Sequence, residues 1–119
     1  MSSDVWKSFT EALDRYVKQL GDFTHATAAT TNDNQTCTVD LNYLDKNNFP
    51  HIATLHFHHK GSRVECFPQL LNDEPLFTMT IDERNSTIRC EGEDDTPEST
   101  AEKIVRDVSE KLRAGKNVY

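Results

Sequence analysis

The chain has 119 residues, with 20 acidic and 13 basic side chains, so its formal net charge at pH 7 is −7. This length fits a single domain with one hydrophobic core, and we treat residues 1–119 as one domain. The acidic balance argues against a protein that coats nucleic-acid phosphates. The apolar runs are far shorter than the ~20 residues of a membrane-spanning helix. We therefore expect neither a nucleic-acid partner nor a membrane partner.

The cysteines and the first residues indicate the compartment. The chain begins with neither the basic segment nor the apolar run of a secretory signal. Its three cysteines, Cys37, Cys66 and Cys90, are odd in number and show no Cys-x-x-Cys spacing, which argues against a disulfide framework or a cysteine zinc site. Each falls on the apolar side of a predicted strand, as expected of small buried side chains in a reducing compartment. We expect a cytoplasmic protein.

Two segments have the periodicity of amphipathic helices. In residues 3–20 large apolar side chains recur at steps of three and four, which is the spacing of one helix face. Residues 97–114 show the same pattern after Thr96, a favourable N-cap, and Pro97, a favourable first helical residue. The sequence therefore predicts one helix near each end of the domain.

Between the two helices the periodicity changes to two, which is typical of strands with one buried face. The predicted strands cover approximately residues 23–30, 36–44, 51–59, 62–67, 76–82 and 87–91. A helix, a five- to six-stranded antiparallel meander and a second helix predict an α+β domain with both helices packed on one sheet face. The opposite face would carry threonine, histidine and charged residues, with Ile52, Phe67 and Leu76 exposed among them.

Two tight turns allow the strand register to be predicted. A two-residue turn at residues 60–61 places Glu65 opposite His56 and keeps the apolar side chains of both strands on one face. A four-residue turn at residues 83–86 likewise keeps the apolar side chains of the next hairpin on one face.

The histidines of the third strand form a candidate metal site. His56 and His58 lie two residues apart, so both side chains leave the same face of the strand. With Glu65 across from His56, two imidazoles and a carboxylate could bind zinc or another divalent metal and leave positions open. The alternative is that both histidines are polar residues of a solvated face and that the protein holds no cofactor.

His25 is the candidate catalytic residue. The predicted alternation places it on the apolar face of the first strand, among Phe23, Leu41 and Tyr43. One interpretation is a buried, hydrogen-bonded histidine. The other is an acid or base in a ligand-binding or catalytic pocket between helices and sheet. The chain contains no nucleotide-binding loop, hydrolase elbow or metalloprotease helix motif.

Residues 91–98 contain five acidic side chains and no basic one. The simplest interpretation is a solvated loop that leads into the positive end of the last helix. The alternative is a docking patch for a basic partner, formed by Glu93, Asp94 and Asp95.

These observations predict a small acidic, non-enzymatic protein-interaction module, such as an adaptor, a regulator or a chaperone-like protein. Its partner would be another protein or a second copy in a homodimer, since sheet edges can pair with a further chain. The predicted partner-binding residues are Thr54, His56, His58, Glu65, Phe67, Glu93, Asp94 and Asp95. The alternative functions are a small enzyme or ligand-binding protein that uses His25, and a surface metal site at His56, His58 and Glu65.

Overall fold

The computed structural model describes residues 3–68 and 74–115 of the chain. The elements are α1 (Asp4–Lys18), β1 (His25–Thr30), β2 (Thr36–Leu44), β3 (Pro50–Lys60), β4 (Arg63–Pro68), β5 (Phe77–Asp82), β6 (Thr87–Cys90), β7 (Glu93–Asp95) and α2 (Pro97–Arg113). All strands belong to one sheet, in the order of the chain, and each pairs antiparallel with its neighbours. The predicted α+β architecture is confirmed, with one strand more than expected.

Both helices begin at a capping side chain, Ser3 for α1 and the predicted Thr96 for α2. The Trp6 N–H donates to Ser3 Oγ at 3.0 Å, at the start of α1. The Ser99 N–H donates to Thr96 Oγ1 at 3.1 Å, at the start of α2. Each bond satisfies one of the backbone donors that a helix leaves unpaired in its first turn. The observed helix ends lie within two residues of the predicted ones.

The two helices pack on the same face of the sheet and enclose one core. Its largest fully buried side chains are Trp6, Phe9, Leu13, Leu41, Leu55, Phe57, Met79, Ile88 and Leu112. The helices run in the same direction. Their first turns lie side by side and line one depression, and their last turns also meet. At that second end, Arg113, the last residue of α2, donates to both carboxylate oxygens of Asp22, at 2.7 and 2.8 Å. Neither helix of the described part of the chain is long and apolar enough to cross a membrane.

The predicted orientation of the first strand is wrong. Ala26 and Ala28 of β1 pack against the core, whereas His25 and Thr27 are exposed. Alanine and threonine occupy both sides of this strand, so hydropathy alternation carries little information about its buried face. Pairing with β2 decides it instead, and places His25 opposite Asn42 on the face away from the helices.

The predicted turn between β3 and β4 is one residue too early. Lys60 lies opposite Arg63, so the two turn residues are Gly61 and Ser62. Gly61 has a φ of 60°, and a two-residue turn with glycine in its first position needs this positive φ. The predicted turn would have placed Lys60 in this first position, where a side chain at positive φ has a steric cost. The four-residue turn at residues 83–86 is confirmed.

The acidic segment forms a strand instead of the predicted loop. Glu93–Asp95 pairs with β6 and becomes β7, at one edge of the sheet. The connecting residues Glu91 and Gly92 have φ values of 55° and 83°. Two successive positive φ values are what the commonest two-residue hairpin turn requires, so this turn returns the chain directly onto β6.

Candidate functional site

The outer face of the sheet, which lies away from both helices, brings together most of the residues predicted to bind a partner. We define it by the residues that share that face across the paired strands: His25, Thr27, Ala29, Thr36, Thr38, Asp40, Asn42, Leu44, Pro50, Ile52, Thr54, His56, His58, Lys60, Arg63, Glu65, Phe67, Thr78, Thr80, Asp82, Thr87, Arg89 and Asp94. Thr54, His56, His58, Glu65 and Phe67 therefore lie on one continuous surface. Glu93, Asp94 and Asp95 lie at a distant edge, on β7.

Cross-strand contacts order the histidines of this face. Thr38 Oγ1 lies 3.1 Å from Nδ1 of His56, directly opposite it. Thr36 Oγ1 lies 3.3 Å from Nδ1 of His58 in the same arrangement. Such pairs stabilise adjacent strands and set the rotamers of both imidazoles. The two histidines thus form part of a flat polar array.

The register of β3 and β4 changes the candidate metal site. Glu65 lies opposite His58, and His56 faces Phe67, so the prediction that Glu65 opposes His56 is wrong. Lys60 Nζ lies 3.0 Å from Glu65 Oε1, and this hydrogen bond holds the pKa of Glu65 below its ordinary value. Burial, helped by the charges of His56 and Lys60, lowers the pKa of His58. Among the described residues no three histidine, cysteine or acidic side chains are placed to hold a metal ion, so the metal hypothesis loses its geometrical basis.

His25 does not lie in the predicted position between helices and sheet. It is exposed on the outer face, with Nε2 3.5 Å from the hydroxyl oxygen of Thr27. Phe23 and Tyr43, its predicted neighbours, pack against the core with their ring centroids 5.4 Å apart. The burial that would make His25 a pocket acid or base is therefore missing.

An apolar cluster that the sequence analysis only partly anticipated lies at the end of the β2–β3 hairpin. Leu44 is 45% exposed, Phe49 63% and Ile52 56%. Leu44 lies opposite Pro50, and Ile52 follows two residues later on the same face. We call Leu44, Pro50 and Ile52 the hairpin-end cluster. Phe49 lies opposite Asp45, one step further along the same ladder, so its side chain belongs to the other face of the hairpin. Ile52 was predicted to be exposed. The apolar Leu44, at the end of an otherwise polar face of the second strand, was the signal in the sequence that could have revealed the rest of the cluster.

The turn that carries this cluster is held by one carboxylate. Asp45 Oδ1 accepts the N–H groups of Asn47 at 2.8 Å and Phe49 at 3.0 Å. Its Oδ2 lies 3.0 Å from His51 Nε2. Hydrogen bonds from His51 and then from the Phe49 N–H hold the pKa of Asp45 below its ordinary value. The end of the hairpin is thus ordered, which reduces the entropy lost on binding.

The acidic residues of β7 are largely engaged within the chain. Asp94 accepts two hydrogen bonds from the guanidinium of Arg89, at 2.8 and 3.1 Å. Asp95 accepts one from Lys103 Nζ at 2.6 Å and one from Ser99 Oγ at 2.9 Å. These bonds lower the pKa of both aspartates. Of the predicted docking patch, Glu93 and Asp94 remain exposed. Because Asp94 is paired with Arg89, little uncompensated charge is left for a basic partner.

The chain matches no family model, and no curated protein and no solved structure is significantly similar to it. Its function is therefore argued from the outer face and the hairpin-end cluster.

A second feature lies on the core side of β3, where His59 stacks on Trp6. The ring centroids are 5.1 Å apart, with an angle of 21° between the planes. The Trp6 indole N–H donates to the Asn34 carbonyl oxygen at 2.7 Å. The Nε2 atom of His59 is buried and has no hydrogen-bond partner among the described residues. A buried polar atom in this state destabilises the fold.

The substitution His59→Phe is expected to raise the free energy of unfolding by about 1 kcal/mol. It keeps an aromatic ring against Trp6 and removes the unpaired nitrogen. Urea denaturation measures the change. His25→Phe, on the exposed face, is the control and should shift stability by less than about 0.5 kcal/mol. A clear loss of stability in His59→Phe would show that the imidazole makes a stabilising contact.

Proposed function

We propose that this protein is a small, non-enzymatic interaction module that binds another protein through the outer face of its sheet. The hairpin-end cluster is the central contact. The observation that carries the proposal is that two of the four large apolar side chains exposed among the described residues, Leu44 and Ile52, lie there on one face beside Pro50. The other two are Phe49 and Leu76. Apolar patches rimmed by polar residues are typical of protein–protein interfaces.

The polar part of the outer face suits the rim of such an interface. Thr54 Oγ1 donates to Asp40 Oδ1 at 2.8 Å, next to Ile52 along the strand. Together with the threonine–histidine pairs, it offers hydroxyl, imidazole and carboxylate groups in fixed positions. The net charge of −7 favours a protein partner over a nucleic acid. The three cysteines are free, which supports a cytoplasmic location.

The double substitution Leu44→Thr and Ile52→Thr tests this function. Partners captured from the source cells by wild type and variant are compared by quantitative mass spectrometry, and the affinity of the purified partner is measured by calorimetry. Truncation of central apolar contacts costs about 2 kcal/mol or more, so binding should weaken at least about 30-fold. Because both side chains are exposed, the stability of the variant should change by no more than about 1 kcal/mol.

Phe49→Ser is the matched control, since Phe49 is exposed at the same end of the hairpin but lies on its other face. This variant should bind the partner as the wild type does. Equal loss of binding in both variants would indicate a nonspecific apolar effect. A partner that binds the double variant with unchanged affinity would place the interface elsewhere and overturn the proposal.

A further inference from the structure

The two edges of the sheet differ in a way that bears on self-association. β7 is three residues long and entirely acidic. β1, at the other edge, is six residues long and contains no Asp, Glu, Lys, Arg or Pro. Its pairing with β2 continues from His25 to Thr30 without a bulge. Natural proteins block pairing at sheet edges with short strands, charges, prolines or bulges. β7 is short and charged, whereas β1 has none of these four features.

The backbone of β1 presents a regular row of hydrogen-bonding groups at the open edge. Thr31 N–H donates to the Thr36 carbonyl at 2.9 Å, which makes this a hydrogen-bonded pair. In an antiparallel ladder every second residue bonds to the same neighbour. The N–H and C=O groups of Ala26, Ala28 and Thr30 therefore point away from β2.

We propose that two copies of this chain pair through β1, antiparallel, about a two-fold axis that passes between the two Ala28 residues. Ala28 then opposes Ala28 of the second copy, and Ala26 opposes Thr30. Residues opposite each other in such a ladder share a face, so both outer faces lie on one side and all helices on the other. The three outward-pointing residues of each copy form about six hydrogen bonds between the copies.

The side chains and charges of β1 favour a second copy as the occupant. Alanine and threonine occupy the positions that would meet across the axis, so no large side chain of β1 separates the two identical strands. Each copy carries a net charge of −7, and the neutral β1 edge allows approach while the acidic β7 edges point away from each other. Because the hairpin-end cluster lies on β2 and β3, this pairing is independent of the proposed function and leaves that cluster exposed.

The first experiment measures molar mass by sedimentation over a wide range of concentration. The wild type should be a dimer. The pair Thr27→Lys and Ala29→Lys places charges on the edge strand without removing backbone donors, and should weaken the dimer at least tenfold. Thr78→Lys, on the same face of β5 and opposite Glu65, is the matched control and should remain a dimer. A strictly monomeric wild type would overturn the proposal, even if it captured an extended peptide along β1.

A crosslink tests the register. In a Cys90→Ser background, Ala28→Cys should form a disulfide between copies under mild oxidation, because the Cα atoms of a hydrogen-bonded antiparallel pair lie about 5.5 Å apart. Ala26→Cys should not, since its opposite residue is Thr30. A dimer that persists in the lysine variant and forms no Ala28→Cys crosslink would show that the copies meet elsewhere. A dimer unaffected by Leu44→Thr and Ile52→Thr would confirm that the two surfaces are separate, whereas loss of the dimer in that variant would contradict pairing through β1.

Discussion

Phe57→Ala is expected to lower the free energy of unfolding by about 4 kcal/mol. Phe57 is fully buried in β3, and its ring meets those of Phe9 and Phe77 edge-on, with centroids 5.5 and 6.3 Å away. Truncation removes this apolar contact between α1 and the sheet and leaves a cavity. Since domains of this size are stable by only about 5–15 kcal/mol, the variant should approach global instability. Urea denaturation, followed by the fluorescence of the single tryptophan, measures the loss.

A double-mutant cycle separates the aromatic contact from the loss of burial. Phe9→Ala alone should cost about as much as Phe57→Ala. The two together should cost about 1 kcal/mol less than their sum, because the edge-on ring contact can be lost only once. Phe49→Ala, at an exposed phenylalanine, should change stability by less than about 0.5 kcal/mol. A similar effect at Phe49 and Phe57 would contradict this packing.

Cys37 and Cys66 are expected to resist alkylation at pH 8, reacting about 100-fold and about 1,000-fold more slowly than an ordinary thiol. Burial raises the pKa of Cys37 to about 11 and that of Cys66 to about 12. Because the thiolate is the reactive species, these pKa values reduce its population by those factors. Burial, followed by the charge of Glu91, also raises the pKa of Cys90. Cys90 is only partly buried, however, and should be modified first.

Timed alkylation followed by peptide mass spectrometry measures the three rates separately. In denaturant the three thiols lose their different environments and should react at similar rates, which is the control for reagent access. Rapid modification of Cys66 in the folded protein would mean that its strand opens readily. The expected order agrees with the interpretation of these cysteines as small core side chains.

The helices and the central strands were predictable because their residues differ strongly in hydropathy from one position to the next. The helix caps at Ser3 and Thr96 act locally, so their effect can be read without knowledge of the rest of the chain. In β2, alternation of polar and apolar residues identified the buried face correctly. β1 lacks that contrast, and its orientation follows from pairing with a distant strand.

The candidate site was only partly predictable, since its chemistry depends on contacts between residues far apart in the chain. Because the turn begins at Gly61 and not at Lys60, Glu65 lies opposite His58 and not opposite His56. Its carboxylate pairs with Lys60. The acidic segment likewise contains no basic residue of its own, and only the fold brings Lys103 of α2 next to Asp95. In both cases a lysine side chain pairs with the carboxylate. The negative charge is then no longer free to bind a metal ion or a basic partner.

By itself, the sequence determined the order of elements, the two amphipathic helices and the division of the central sheet into a buried and a polar face. These follow from periodicity, which is local. Only the tertiary structure decided that the three residues of the hairpin-end cluster share one exposed face, that His59 stacks on Trp6, and that β1 is an unblocked edge. These depend on strand register and helix placement, which arise from the packing of the whole chain.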